Sequence, residues 1–421
     1  MTTGCLRTVT SSFWKRPLEM RGILSLLASL YLPTLLASAH AAPVRVDADI
    51  PGENILIDSI RGDTIKVHRD LRDTEGEWFY WSFRVRGAAG RTLDVEFTKG
   101  NVIGVRGPAV STDQGRTWRW LGAAAVEGAR FRYGVPPGID EVRFSVTIPY
   151  SESDLRAFLD RHRGNSALKM GMLAHSRKGR DIEQLLLSRL DGQAQNCVLL
   201  TARHHACESL ASYSLEGMLE SILGSAEDGR WFRQNVEFLV VPFMDKDGVE
   251  DGDQGKGRRP HDHNRDYAGE SIYPSVKALR DLVPRWSEGR LKFALDLHCP
   301  YRRSSQKDNH EDIMFVGGSD QDRWSRVEEF SKILESVQTG PLVYRRSNNL
   351  PFGVSWNTAD NVGSGLKTFD MWASEQPGVL IATTLEIPYA NAGGKPVTAE
   401  SARALGLDLA RALSIYLQQI R

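Results

Sequence analysis

The chain has 421 residues, more than one ordinary domain needs, and its 41% hydrophobic and 25% charged residues belong to a folded globular protein rather than a disordered one. Lys plus Arg and Asp plus Glu both number 53, so the net field selects neither nucleic acid nor an anionic membrane surface. Four cysteines are too few for a disulfide framework.

Near the N-terminus, Arg16 and Arg21 precede an apolar run, Ile23 to Ala37, which ends in Ala39-His40-Ala41. A basic flank, a short apolar centre and small residues at A-x-A mark a secretory signal peptide, expected over residues 1–41 and cleaved after Ala41. The run is shorter than a membrane span and carries Pro33, so no stable membrane insertion is expected after cleavage. Met20 stands just before it and is an alternative start. Export implies a periplasmic or secreted protein. Cys5 leaves with the signal; Cys197, Cys207 and Cys299 remain, and buried free thiols are expected, the one pairing in question being Cys207 with Cys299.

From residue 42 to about 150 the sequence reads as short strands between turns. Phe79 to Arg86 and Leu93 to Phe97 alternate apolar and polar residues, as do Arg116 to Trp120, Ala129 to Tyr133 and Val142 to Ile148. Breaks at Gly87 to Gly90 and Pro136-Pro137-Gly138 supply the turns. The expectation is an antiparallel β-sandwich that serves packing or recognition, since it gathers no nucleophile, base or metal ligand.

At Ser151 the period changes, and residues 151–421 are expected to form a second, α/β domain. Ser153 is a candidate cap for a helix through Leu155, Phe158 and Leu159, closed by Gly164. Apolar strands then alternate with helices: Cys197 to Ala202, Leu210 to Leu223, Val236 to Phe243, Phe293 to Leu297, Ile313 to Val316 and Val379 to Leu385. A last helix runs from Ala399 to Gln419 with Leu405, Leu409, Leu413 and Leu417 on one face. This pattern makes a mixed, largely parallel sheet flanked by helices.

Sites gather where the strands of such a sheet end. One strand runs into Arg203-His-His-Ala-Cys-Glu208, where His205 and Glu208 present a nitrogen and a carboxylate at H-x-x-E spacing; His204 and Cys207 share the spacing with a thiolate instead. A second ends in Leu295-Asp-Leu-His298, placing His298 as a third ligand with Asp296 behind it to fix its tautomer. In a third, Glu386 interrupts an apolar strand, where a carboxylate must be paired or raised in pKa for general-base work.

Together these residues resemble the zinc metallocarboxypeptidase family that includes carboxypeptidases A and B. Its motifs appear in order as His205/Glu208, Asn264-Arg265, His298 and Glu386, with Ser176-Arg-Lys-Gly-Arg-Asp-Ile182 similar to a further family segment. The likeness covers about residues 165 to 421. Tyr80 to Arg86 and Ile148 to Leu155 extend it to the β-domain of cytosolic carboxypeptidases, a branch that removes glutamates from protein tails and from which a signal peptide departs. The resemblance implies one Zn2+ per chain on His205, Glu208 and His298, with Glu386 as general base. Asn264 and Arg265 would grip the free carboxylate of a peptide substrate. An arginine would polarise the scissile carbonyl, Arg258 and Arg259 both being candidates in the polar loop Asp245 to Asp266. His261 and His263 lie beside Asn264 as a rival metal pair. The tyrosine that the family carries some twenty residues before its glutamate has no counterpart, that stretch holding Phe369, Met371 and Trp372. Two other readings keep the metal: a zinc amidohydrolase for cell-wall stem peptides, and a zinc-containing binding protein without catalysis.

Overall fold

Alternation decides the first hundred residues. In Thr92–Phe97, Leu93, Val95 and Phe97 are buried while Asp94 and Glu96 face outward, and in Glu141–Ser145 the buried apolar pair is Val142 and Phe144. The structure, a computed structural model, describes residues 43–301 and 311–420, so the expected signal segment lies outside the described residues. Two five-stranded sheets face each other. One pairs Arg45–Asp47, Ser82–Arg86, Glu141–Ser145, Ala109–Ser111 and Arg119–Trp120 in that order, all antiparallel. The other runs Leu56–Arg61, Thr64–His68, Thr92–Phe97, Arg130–Gly134 and Val126–Glu127. Trp81 seals the layers: it is fully buried, packs 4.6 Å from Phe97 and stacks on Phe131 of the opposite sheet, while its Nε1 donates to the Val102 carbonyl.

One pairing departs from the antiparallel expectation. Thr64–His68 and Thr92–Phe97 run parallel, because the chain between them crosses to the other sheet through Ser82–Arg86 before returning, which no hairpin does.

The α/β part opens with the helix Glu152–Arg161. Its N-cap is Ser151, not Ser153: the Asp154 carboxylate accepts from the Ser151 N–H at 2.8 Å, a capping box that fixes the start two residues earlier. Seven strands follow, in the order Leu168–His175, Asp181–Ser188, Val236–Val241, Asn196–Ala202, Leu291–His298, Ile381–Glu386 and Met314–Val316. The four from Val236–Val241 to Ile381–Glu386 are parallel, and the flanking strands pair antiparallel. The central strands are buried over nearly their whole length, which is why they read as apolar runs rather than alternations.

Helices Ser209–Leu223 and Ala399–Gln419 cross at Gly217 and Gly406, where a Cβ on either would lie 2.0 Å from a backbone carbonyl oxygen of the other helix. The loop expected from Asp245 to Asp266 contains a short helix, Lys246–Asp251, and a turn of 3-10 helix at His263–Arg265. Among the described residues no helix is long and apolar enough to cross a membrane.

Register sets up the site. Ala202 lies beside Leu297, and His298 beside Glu386, so three adjacent strands deliver their carboxyl ends to one place.

Candidate active site

The turn after Asn196–Ala202 carries His204 and His205, and Glu208 precedes the helix that starts at Ser209. His205 Nδ1 lies 2.8 Å from Glu208 Oε1, His298 Nδ1 lies 2.7 Å from Glu208 Oε2, and the two imidazole nitrogens are 3.2 Å apart. All three side chains are buried.

A second group, His204, Asp296 and His298, also has its polar atoms close together. It is already satisfied by protein: the Asp296 carboxylate accepts from the Thr201 hydroxyl at 2.8 Å and meets His204 Nδ1 and His298 Nε2, and His204 Nε2 meets the Tyr267 hydroxyl at 2.7 Å. His205, Glu208 and His298 instead turn three lone-pair atoms toward one another, and His205 and His298 border an open cavity of about 510 Å³. One carboxylate and two imidazoles, with a fourth position left to the cavity, is the donor set of a catalytic zinc site, and the residues fit that ion.

Carboxylates stand behind both imidazoles. Asp296 holds His298, and Asp262 faces His205 Nε2 at 3.6 Å. Burial opposes ionisation of each, but His204 and His298 around Asp296, and His205 beside Asp262, hold both carboxyls well below the usual carboxylate range. Asp262 was not singled out from sequence, although it lies two residues before Asn264 in the same run.

Glu386 borders the cavity with one carboxylate oxygen, Oε2, unpartnered among the described residues. Burial pushes its carboxyl up, against the pull of His298. Asn264 and Arg265 border the same cavity. The Asn264 side chain accepts from the Phe369 N–H at 2.9 Å. Arg265 donates to the carbonyls of Val362, Asn264 and Asn361, which uses three of its five N–H groups and leaves one on each terminal nitrogen.

The two candidate carbonyl-polarising arginines do not reach this cavity. Arg258 is enclosed by Asp73, Asp245 and Asp253 at 2.7–3.0 Å, an ion cluster joining the β-domain to the α/β part. Arg259 is 80% exposed and pairs with Glu75. Besides Arg265, the cation that borders the cavity among the described residues is Lys256, which sequence reasoning passed over between two conspicuous arginines and a row of acids. His261 and His263 form no metal pair: His261 meets Asp266 at 2.7 Å, and His263 stacks on Tyr273 and faces a different cavity. No tyrosine of the 369–372 stretch borders the cavity; its aromatic wall is made by Trp78, Tyr301, Phe352 and Trp356, and Met371, 38% exposed, also borders it. Phe369 and Trp372 point inward and pack on Tyr267. Cys197, Cys207 and Cys299 are buried free thiols, and burial pushes the Cys207 thiol up to about 12.

A family model described as zinc carboxypeptidase matches residues 155–311. Over that segment the chain is similar to a zinc carboxypeptidase domain. The matched residues include His205, Glu208, His298, Asn264 and Arg265; Glu386 lies beyond them. Cytosolic carboxypeptidase 3 of Bos taurus is 28% identical over 196 residues, which are 44% of this chain and 19% of that protein, so the aligned part spans about a fifth of the relative's length. A metallo-carboxypeptidase from Burkholderia cenocepacia, 19% identical, superposes with a TM-score of 0.73 over 90% of this chain and 100% of its own. One from Pseudomonas aeruginosa, 21% identical, gives 0.68 over 90% and 100%. Both share the carboxypeptidase fold.

Proposed function

We propose that this chain hydrolyses the peptide or isopeptide bond next to a free carboxylate, using a water activated at His205, Glu208 and His298. One observation carries the reading: three metal-ligand atoms converge beside Glu386, in register with His298, in a cavity whose next wall is Asn264-Arg265. Zinc held there would supply Lewis acidity to a water and to the scissile carbonyl, drawing the water's pKa toward ~7.

The protein's own residues do the rest. The two unspent N–H groups of Arg265 can receive a terminal carboxylate as a fork, which fixes the substrate's end and sets the bond to be cut at a defined distance from it. Glu386, buried and raised in pKa, takes a proton from the attacking water and returns it to the departing amine. The aromatic wall excludes water from the bond under attack and gives the chain preceding it an apolar surface.

The test is hydrolysis of acyl-dipeptides ending in acidic, basic, aromatic and D-residues, each with a free and an amidated C-terminus. Only free carboxylates should be cleaved. Glu386→Gln should lower kcat by about 10³-fold or more with zinc retained, since a general base contributes 10²–10⁴. Equal cleavage of amidated peptides, or full activity in Glu386→Gln, would sink the assignment.

A further inference from the structure

Addition of water to an amide leaves a full negative charge on the former carbonyl oxygen, and a donor fixed beside that oxygen in a water-poor pocket stabilises it strongly. Arg258 is occupied by three carboxylates and Arg259 lies outside, so neither supplies that donor. Apart from the histidines, the cations bordering the catalytic cavity among the described residues are Lys256 and Arg265. Arg265 is braced against the backbone carbonyls of Val362 and Asn361. Lys256 is different. Its ammonium stands 5.5 Å from the centroid of the Trp78 ring, has no ion-pair partner among the described residues, and exerts its charge on Glu386 and Asp262, one beside the metal ligands and one behind them.

The backbone around Lys256 is built to hold it there. Gly255 (φ +76°) and Gly257 (φ +66°) flank it in the left-handed region. A Cβ on Gly255 would lie 2.1 Å from the Ala206 nitrogen, on the turn that carries His205; a Cβ on Gly257 would lie 2.8 Å from the Glu75 carbonyl oxygen. The loop is therefore wedged between the metal-ligand turn and the β-domain. From the β-domain side, the Asp73 carboxylate accepts from the N–H groups of Gln254 and Gly255 at 3.0 and 2.8 Å. The Thr74 hydroxyl donates to the Lys256 carbonyl, and the Glu75 N–H donates to the Gly257 carbonyl at 2.9 Å.

We propose that Lys256 is a catalytic residue that donates to the scissile carbonyl oxygen as it becomes an oxyanion, and that the β-domain segment Asp73 to Trp78 positions it. The proposal rests on the hydrolytic reading above. Water oxygen bonds to the carbonyl carbon while Glu386 takes one water proton; the carbonyl π pair moves onto oxygen, where Lys256 donates an N–H without losing its proton. The pair then re-forms C=O, the C–N bond breaks, and the amine leaves with the proton that Glu386 returns. An ammonium, a compact charge with three rotatable donors, suits a single oxygen better than a bidentate target.

The experiment uses the full-length zinc-loaded protein and the free-carboxylate dipeptide that it cleaves fastest. Lys256→Met should lower kcat by about 10²–10³-fold, with KM within about threefold and zinc still at one per chain. Lys256→Arg, which restores a cation, should recover at least about tenfold of the loss. The phosphonate analogue of the same dipeptide, whose anionic oxygen mimics the oxyanion, should lose affinity for Lys256→Met in proportion to kcat/KM, a response that a merely structural lysine does not give. Unchanged kcat, or a loss accounted for by KM or by zinc content, overturns the proposal and leaves the hydrolytic reading intact. A wild-type protein that cleaves no member of the panel overturns both.

Discussion

The Asp296 carboxylate is shared: it accepts from Thr201 and meets both His204 and His298, and it is fully buried. An imidazole that ligates through Nδ1 needs its Nε2–H directed at an acceptor, and a charged acceptor both fixes the ring and strengthens the ligand. Asp296→Asn removes that charge where no water can replace it and turns an acceptor into a donor on one side. Zinc affinity, measured by competition with a chelator, should fall by about 10–100-fold. Asp262→Asn should cost less, because its 3.6 Å separation from His205 is too long for a direct hydrogen bond. Equal losses in the two variants would mean that the metal is held by overall negative charge rather than by oriented rings.

At the scale of elements, the segment Gly252 to Arg258 links metal site, catalytic cavity and β-domain, and glycine is what lets it pass. Gly255→Ala combines a left-handed backbone with a Cβ 2.1 Å from the Ala206 nitrogen, so the loop must move and Lys256 with it. Activity should drop by about 10²-fold or more, alongside a lower melting temperature. Gly269→Ala is the comparison: its φ is +57° but nothing lies within 4 Å of the added atom, so strain of about 1 kcal/mol is the whole cost and activity should persist.

That loop also shows where the sequence ran out of information. His205, Glu208 and His298 were legible because each follows an apolar strand, and Glu386 because a carboxylate stands out inside one. Lys256 was not, because its role depends on Asp73 and Trp78, far away in the chain and brought to it only by the fold. Arg258 misled for the same reason: nothing local says that Asp73 will close over it. Among the strands, those long enough to alternate could be read, whereas Arg45–Asp47 and Ala109–Ser111 have three residues each and Leu56–Arg61 keeps Leu56 and Ile57 exposed, which erases the pattern.

Across the whole molecule, the β-sandwich and the α/β part share one continuous core, and beside the Arg258 ion cluster their polar seam uses backbone and amide groups. Tyr80 and Gln254 exchange two hydrogen bonds at 2.8 and 2.9 Å, Asn54 donates to the Gly252 carbonyl at 2.8 Å, and the Gly52 N–H donates to the Glu250 carbonyl at 2.9 Å. Glu53 sits in this seam, 7% exposed, with Oε1 unpartnered among the described residues and Oε2 accepting only a long bond from the Ile50 N–H. Burial raises its carboxyl to about 7, and the charges of Arg143 and Arg84 do not compensate. A raised acid binds its proton more tightly in the folded than in the unfolded chain. Stability is therefore fully present below the unfolded value of about 4.5 and is lost as pH rises toward 7, the loss being complete above that. The rise from 4.5 to about 7 corresponds to about 3 kcal/mol. Glu53→Gln carries no charge to bury, so at pH 8 it should melt roughly 2–4 °C above the wild type, and at pH 4.5 the two should coincide. A seam that instead relied on ionised Glu53 to hold Arg84 and Arg143 would give the opposite sign, with the variant melting lower at pH 8.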